Sequence, residues 1–393
     1  MNILIGWNSK FLDNNGGMEK VMCNFSNEMQ KRGHQVTLVY CTEKAGTICN
    51  PIRKEVKLLN IADFLPGKKW ESAKPISFIL KREILRCINK HKMKQAVMQF
   101  DIKYLGLAMK KIFNMTKPDV IIAIDASTAA LFIAEKDIDV PLVTMNHFNA
   151  EHILADLSEI EGQALLHSNI VQVLMPHDKD VLEKVLPSIR ITCIPNVVPQ
   201  YAGIKSDIIK TDTIIDVARI DAKQKRQHLL IEAFARIAHI YPSWNIEFWG
   251  DEQGGKKYTK QLEVLINKYH LENRVFFKGN TKDVLSVYKK ARIFAFPSAY
   301  EGFPLALTEA MSAGLPTIAY RSCPAVNELI KDEKTGLLVE DGIDSFALGL
   351  EKLIKNESTR EALGKAAQEN MKQYSPANVY DMWENLLFQV TVH

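Results

Sequence analysis

Short apolar runs alternate with helical-period stretches along this chain, and the alternation assigns a fold class. Ile3, Leu4 and Ile5 form a run suited to a strand buried on both faces. A polar loop through Asn14, Asn15, Gly16 and Gly17 follows. Met18, Val21, Met22, Phe25 and Met29 then recur at helical spacing until Gly33 closes the helix. Residues 36–40 are the next strand, which completes a β-loop-α-β unit with a glycine pair where strand meets helix. Further strands are predicted at 120–124, 142–144 and 191–194. The second half repeats the scheme, with strands at 213–218, 246–249, 275–277, 293–296, 317–319 and 337–339 and a helix face at Leu229, Leu230, Ala233, Phe234 and Ile237. Two successive sets of alternating strands and helices predict two facing Rossmann-like α/β domains, each a doubly wound parallel sheet. Pro195, Pro199 and Gly203 interrupt the periodicity between them. The expected domains are 1–198 and 199–376, with a helix over 377–393 returning to the N-terminal domain. Ligands of such sheets bind beyond the carboxyl ends of the strands, here in the cleft between the domains.

Composition changes this picture little. A chain of 393 residues suits two or three domains, and 47% apolar with 24% charged residues is ordinary globular usage. Fifty Lys and Arg against 46 Asp and Glu leave a formal charge of +4, which does not indicate a nucleic-acid binder. No apolar run reaches the length of a spanning helix, and the N-terminus lacks the basic and apolar regions of a signal peptide. The six cysteines show no CxxC spacing, so neither a zinc site nor a disulfide framework is expected, and a cytoplasmic protein is the simplest account. The charge is unevenly placed, however. Residues 68–117 are rich in Lys and Arg interleaved with Ile79, Leu80, Ile84, Leu85 and Ile88, which predicts one or two basic amphipathic helices inserted in the N-terminal domain.

The densest chemistry lies in residues 296–316. A strand runs into a loop holding Glu301 and Gly302, and Pro304 stands where a helical turn begins. The amides around Gly302, Phe303, Pro304 and Leu305, with the helix dipole behind them, suit a diphosphate. Glu309, inside that helix, suits the hydroxyls of a sugar better than an anion. Amides for phosphate and carboxylates for hydroxyls describe a nucleotide-sugar. With Gly302, Phe303, Pro304, Ala310, Gly314 and Pro316 around them, Glu301 and Glu309 resemble the Glu-x7-Glu motif of the family 4 retaining glycosyltransferases.

Other segments resemble that family in the same order along the chain. Ala218-Arg219-Ile220 followed by Lys225 is similar to its Gly-Arg-Leu…Lys motif, with alanine in place of the glycine; Lys223 and Arg226 share the loop. Gly16-Gly17 resembles its N-terminal glycine pair, and His147 its first-domain histidine, with His152 nearby. Pro195-Asn196-Val197 resembles its hinge, with valine for glycine, while Gly250, Lys278 and Gly279 match strand ends that line the nucleotide pocket. The resemblance implies a GT-B arrangement and metal-independent, retaining transfer without a cofactor. It implies Arg219 and Lys225 on the departing diphosphate, Glu309 on ribose, Glu301 on donor-sugar hydroxyls and His147 at the reaction centre. The Asp-x-Asp pairs 137–139 and 178–180 lie outside the motif region and read as solvated acids. A UDP-hexose or UDP-N-acetylhexosamine donor and a lipid-linked or other saccharide acceptor are expected. Lys81, Arg82, Arg86, Lys90, Lys92 and Lys94 are expected to meet an anionic membrane surface or the acceptor, which makes the enzyme peripheral at the inner face. A soluble transferase acting on a sugar phosphate is the chief alternative. A nucleotide-sugar epimerase ranks lower, and a nicotinamide-dependent dehydrogenase lacks its GxGxxG turn.

Overall fold

The computed structural model describes all residues except 14, 15, 71, 73, 135–138, 202–207, 253, 254 and 393, and residue 68 by its backbone only. The expectations on Asn14, Asn15, Asp137 and Gly203 lie outside the described residues. The chain divides into two compact units, Met1–Asn196 with Ala377–His393, and Val197–Pro376.

The first unit is a seven-stranded parallel sheet of β1 (Asn2–Gly6), β2 (Gln35–Tyr40), β3 (Lys57–Asn60), β4 (Val120–Ala123), β5 (Leu142–Met145), β6 (Ile170–Val173) and β7 (Ile191–Cys193). The second has six parallel strands, β8 (Thr213–Val217), β9 (Asn245–Trp249), β10 (Val275–Gly279), β11 (Ile293–Phe296), β12 (Thr317–Tyr320) and β13 (Leu337–Val339). Their orders are β3-β2-β1-β4-β5-β6-β7 and β10-β9-β8-β11-β12-β13, so each sheet reverses direction once, at β1/β4 and at β8/β11. These reversals are the topological switch points where doubly wound sheets bind ligands.

The helices of the first unit are α1 (Gly17–Lys31), α2 (Ile76–Ile88), α3 (Lys90–Thr116), α4 (Ala126–Ile133), α5 (Ala150–Asp156), α6 (Glu159–His167) and α7 (Pro176–Val185). Those of the second are α8 (Gln227–Ile237), α9 (Lys257–Lys268), α10 (Val284–Lys290), α11 (Leu305–Ser312), α12 (Val326–Leu329), α13 (Ile343–Lys355) and α14 (Glu357–Asn370). The last helix, α15 (Pro376–Thr391), packs on α1: Trp383 meets Phe25 edge-on at 5.1 Å, and Arg32 pairs with Asp381 and Glu384 at 2.7 Å each.

Strands read as apolar runs are buried on both faces, as Ile3, Leu4 and Ile5 illustrate. Two strands are additions to the sequence reading. β3 is a four-residue edge strand, too short to show a period. β6 is interrupted by Gln172, which is buried and donates its Nε2–H groups to the carbonyls of Val173 and Ile194. Hydrogen bonding makes burial of that amide tolerable. The basic segment forms α2 and α3. Met98, Leu105, Met109 and Ile112 of α3 join Leu4 and Ile121 in the core.

One glycine fixes how β8 meets β9. Gly250 has φ +136°, and a Cβ there would lie 2.2 Å from the carbonyl oxygen of Ala218. Strain and clash act together at this position. Gly250→Ala is expected to destabilise the protein by about 3 kcal/mol. A calorimetric scan checks this as a thermal midpoint lowered by several degrees.

Candidate active site

The second unit concentrates its charge at the β8/β11 switch point. The loop between β8 and α8 carries Arg219, Gln224, Lys225 and Arg226, and the loop after β11 carries Glu301. Lys225 Nζ lies 2.5 Å from Glu301 Oε1, with both side chains largely buried. Gln224 donates to the Tyr300 carbonyl at 3.1 Å and to Glu301 Oε2 at 3.4 Å, and accepts from Arg219 Nη2 at 2.8 Å. Arg219, Lys225 and Glu301 therefore form one network with Gln224 at its centre. Gln224 carried no signal in the sequence. The choice among the loop's cations resolves on geometry. Arg226 is committed to the backbone, donating to the carbonyls of Pro297 and Ser298 at 2.9 Å each and lying over the Tyr320 ring, while Lys223 is exposed.

Beneath this network lies a second acid that sequence reasoning missed. Asp216 of β8 is buried and accepts from Gln227 Nε2 at 3.2 Å. Burial pushes its carboxyl up to about 7, with nearby Lys225 and the Gln227 hydrogen bond pulling the other way. Lys225 thus stands within the field of two carboxylates.

Intrahelical bonding in α11 begins with Thr308 N–H on the Pro304 carbonyl, so the amides of Leu305, Ala306 and Leu307 have no acceptor within the helix. Pro304 occupies the cap position just before the helix. Glu309 is buried and accepts from Tyr288 Oη at 3.2 Å. Gly250 N–H bonds the Gly279 carbonyl at 2.9 Å, which joins the two strand ends. Lys278 takes a different direction from Lys225: it pairs with Glu247 at 3.8 Å and lies over Trp249.

The first unit presents a separate site at the carboxyl ends of β4 and β5. A cavity of about 300 Å³ is lined by apolar residues such as Met18, Met145 and Leu157, and by Asp125, Asn146 and His147. His147 Nε2 and Asn146 Nδ2 are buried there without a hydrogen-bond partner. Burial lowers the His147 pKa to about 4, with Asp125 opposing, so the ring is neutral at pH 7. His152 also lines the cavity but is exposed. At the glycine pair, Gly16 precedes α1, and a Cβ on it would meet the Glu19 carboxylate. Glu19, itself buried, thus fills the first turn of α1 from within the chain.

The basic residues do not act as one surface. Lys90 and Lys94 both pair with Asp156, at 2.8 and 2.7 Å, and Lys94 lines the His147 cavity. Arg82 and Arg86 hold Glu83, while Lys81 and Lys92 are exposed. Among the described residues no group of three or more His, Cys, Asp or Glu is placed to hold a metal. Asp178, read as a solvated acid, is instead buried and accepts the Ala150 N–H at 2.7 Å. It lies in the first turn of α7, where it reaches the amide that starts α5.

Two doubly wound parallel sheets with charged groups at a switch point place the chain in the GT-B fold class. Its domains match two families: residues 15–200 match "Glycosyltransferase Family 4" and residues 205–370 match "Glycosyl transferases group 1". Each half of the chain is therefore similar to a glycosyltransferase domain. An uncharacterized glycosyltransferase of Haemophilus influenzae is 28% identical over 183 residues, which span 46% of this chain and 50% of that protein. A Campylobacter jejuni α-1,4-N-acetyl-D-galactosaminyltransferase acting on an undecaprenol-linked glycan is 22% identical over 96% of both chains. The structure of Staphylococcus aureus TarM in complex with fondaparinux, α-GlcNAc-glycerol and UDP superposes with a TM-score of 0.73 at 16% identity, covering 98% of this chain and 99% of that one.

The two perturbed groups give opposite pH dependences. His147 is held neutral, so the unfolded chain binds the extra proton below pH 6.5 and stability falls as pH drops toward 4, by about 2 kcal/mol at pH 5. Asp216 is held protonated, so its contribution is greatest near pH 4 and is lost as pH rises through 7. Asp216→Asn is expected to raise the thermal midpoint most at pH 8 and progressively less toward pH 4, whereas His147→Gln flattens the acid limb. Melting curves across pH 5–8 check both.

Proposed function

We propose that this chain is a retaining glycosyltransferase that moves a hexose or N-acetylhexosamine from a UDP-sugar to a lipid-linked or other cell-surface glycan. The observation that carries the reading is the Arg219–Gln224–Lys225–Glu301 network at the β8/β11 switch point. A guanidinium, an ammonium and the free amides of α11 are what a departing diphosphate requires, and Glu301 beside them is positioned to accept hydrogen bonds from sugar hydroxyls. Glu309, with Tyr288 bonded to one carboxylate oxygen, takes the ribose. The UDP assignment is supported by TarM having been solved with UDP, and the lipid-linked acceptor by the Campylobacter relative.

In the reaction the bond from the anomeric carbon to the diphosphate oxygen breaks and a bond from that carbon to the acceptor oxygen forms on the same face. The acceptor oxygen is itself the nucleophile and its proton passes to the leaving phosphate, so this step needs neither an enzyme nucleophile nor a separate base. Arg219 and Lys225 stabilise the charge that develops on the diphosphate. His147, neutral and short of one hydrogen bond, is suited to a sugar hydroxyl near the reaction centre.

UDP at about a hundred times its dissociation constant is expected to stabilise the protein by about 2.7 kcal/mol, with GDP and ADP giving less. Lys225→Ala is expected to weaken UDP binding by about tenfold or more, as loss of a charged hydrogen bond does. Glu309→Ala removes the ribose contact and the thermal shift with it. Absence of any nucleotide-dependent shift in the wild type contradicts the proposal. Retention is read from the anomeric proton coupling of the product.

A further inference from the structure

The α2 helix turns its apolar side away from the protein. None of its thirteen residues is buried. Phe78 faces inward, stacked on Phe100 of α3 with ring centroids 4.4 Å apart. Ile76, Leu80, Ile84 and Ile88 recur every fourth residue, so they share a face. They are 77, 59, 59 and 75% exposed. Ile79 and Cys87 are exposed beside them. At 100° per residue, Lys81 lies about 20° beyond Ile88 on one edge, whereas on the other Glu83 lies about 20° beyond Ile76 and Arg86 about 80° beyond it; Lys81 and Arg86 are exposed. The one acid of the helix, Glu83, is held by Arg82 at 2.8 Å and by Arg86 at 3.6 Å.

A water-facing surface helix ordinarily shows the reverse arrangement, with its apolar stripe against the core. An apolar stripe edged by cations suits a helix lying in the interface plane of an anionic bilayer. Thirteen residues span about 20 Å, too short to cross a bilayer, and no described helix is long and apolar enough to do so. A second copy of the chain is a poorer occupant, because a symmetric contact through α2 brings the Lys81 and Arg86 edges against their own kind.

We propose that α2 is a membrane-docking helix whose Ile76, Leu80, Ile84 and Ile88 edge enters the headgroup–acyl boundary of anionic phospholipid, with Lys81 and Arg86 against the lipid phosphates. Of the other basic residues, Lys94 is drawn to Asp156 beside the His147 cavity, while Lys90 pairs with Asp156 but stays exposed. This assignment stands on α2 alone and is independent of the donor reading.

The test is flotation of the full chain with phosphatidylcholine vesicles, with and without phosphatidylglycerol. The wild type is expected to float with the anionic vesicles and to stay behind with the neutral ones. Leu80→Asn/Ile84→Asn is expected to lower the bound fraction at anionic vesicles by about tenfold, and Lys81→Glu/Arg86→Glu by a similar factor. A polarity-sensitive fluorophore on Cys87, with Cys49→Ser removing the other exposed thiol, is expected to shift to the blue on vesicle binding. The altered residues are exposed, so melting temperature and any nucleotide-induced shift remain as in the wild type, and loss of either marks a folding defect or a failure of the donor reading instead. Wild type that does not float at low salt, or variants that float as well as wild type, overturn the proposal. A vesicle-free dimer that Leu80→Asn/Ile84→Asn dissociates overturns it too, and assigns the face to a second copy.

Discussion

A single ammonium group, Lys225 Nζ, stands in the field of two carboxylates that the second unit has taken out of water, Glu301 at 2.5 Å and Asp216 in the strand below. Burying charge is costly unless each group has a partner. Here Asp216 carries the burden of burial, its carboxyl pushed up to about 7 and so about half protonated at neutral pH, while Lys225 is paired with Glu301. The surrounding structure follows from that constraint. Gln227 braces Asp216 and also bonds the Arg219 carbonyl. Gln224 ties Arg219 to Glu301. Arg226 pins its loop to the end of β11 through two carbonyls.

The same logic, with opposite sign, governs the first unit. Its cavity holds a histidine kept neutral by burial and an asparagine amide, each with an unmet hydrogen bond. Such groups are costly when unpaired, and a hydroxyl that meets them removes that cost. The second unit thus gathers cations and buried acids into one network, whereas the first leaves neutral polar groups, His147 and Asn146, in a cavity that Asp125 and Lys94 also line.

Much of this was legible in the sequence where a residue type announces its backbone role. The apolar runs of β1, β4 and β11 mark buried parallel strands, and the string from Glu301 to Glu309 places two acids around a helix start. What escaped detection are polar residues inside apolar runs. Gln172 and Asp216 look like interruptions or surface positions in one dimension, because their partners (the Ile194 carbonyl and Gln227) come from other elements. Gln224 and Glu19 were missed for the same reason. For α2 the period was visible, but which side faces the protein depends on Phe78 finding Phe100, a contact the pattern alone does not specify. Sequence alone did not show that Asp156, some sixty residues away, pairs with Lys90 and Lys94.

The proposed donor site depends on Glu301 holding Lys225 where it can also meet the diphosphate. A double-mutant cycle on UDP affinity, using Lys225→Met, Glu301→Gln and the pair, measures that coupling directly. Residues in one ion-pair network are expected to show an interaction energy of about 1 kcal/mol or more. Strictly additive losses would mean that the two side chains act independently, and would contradict the account.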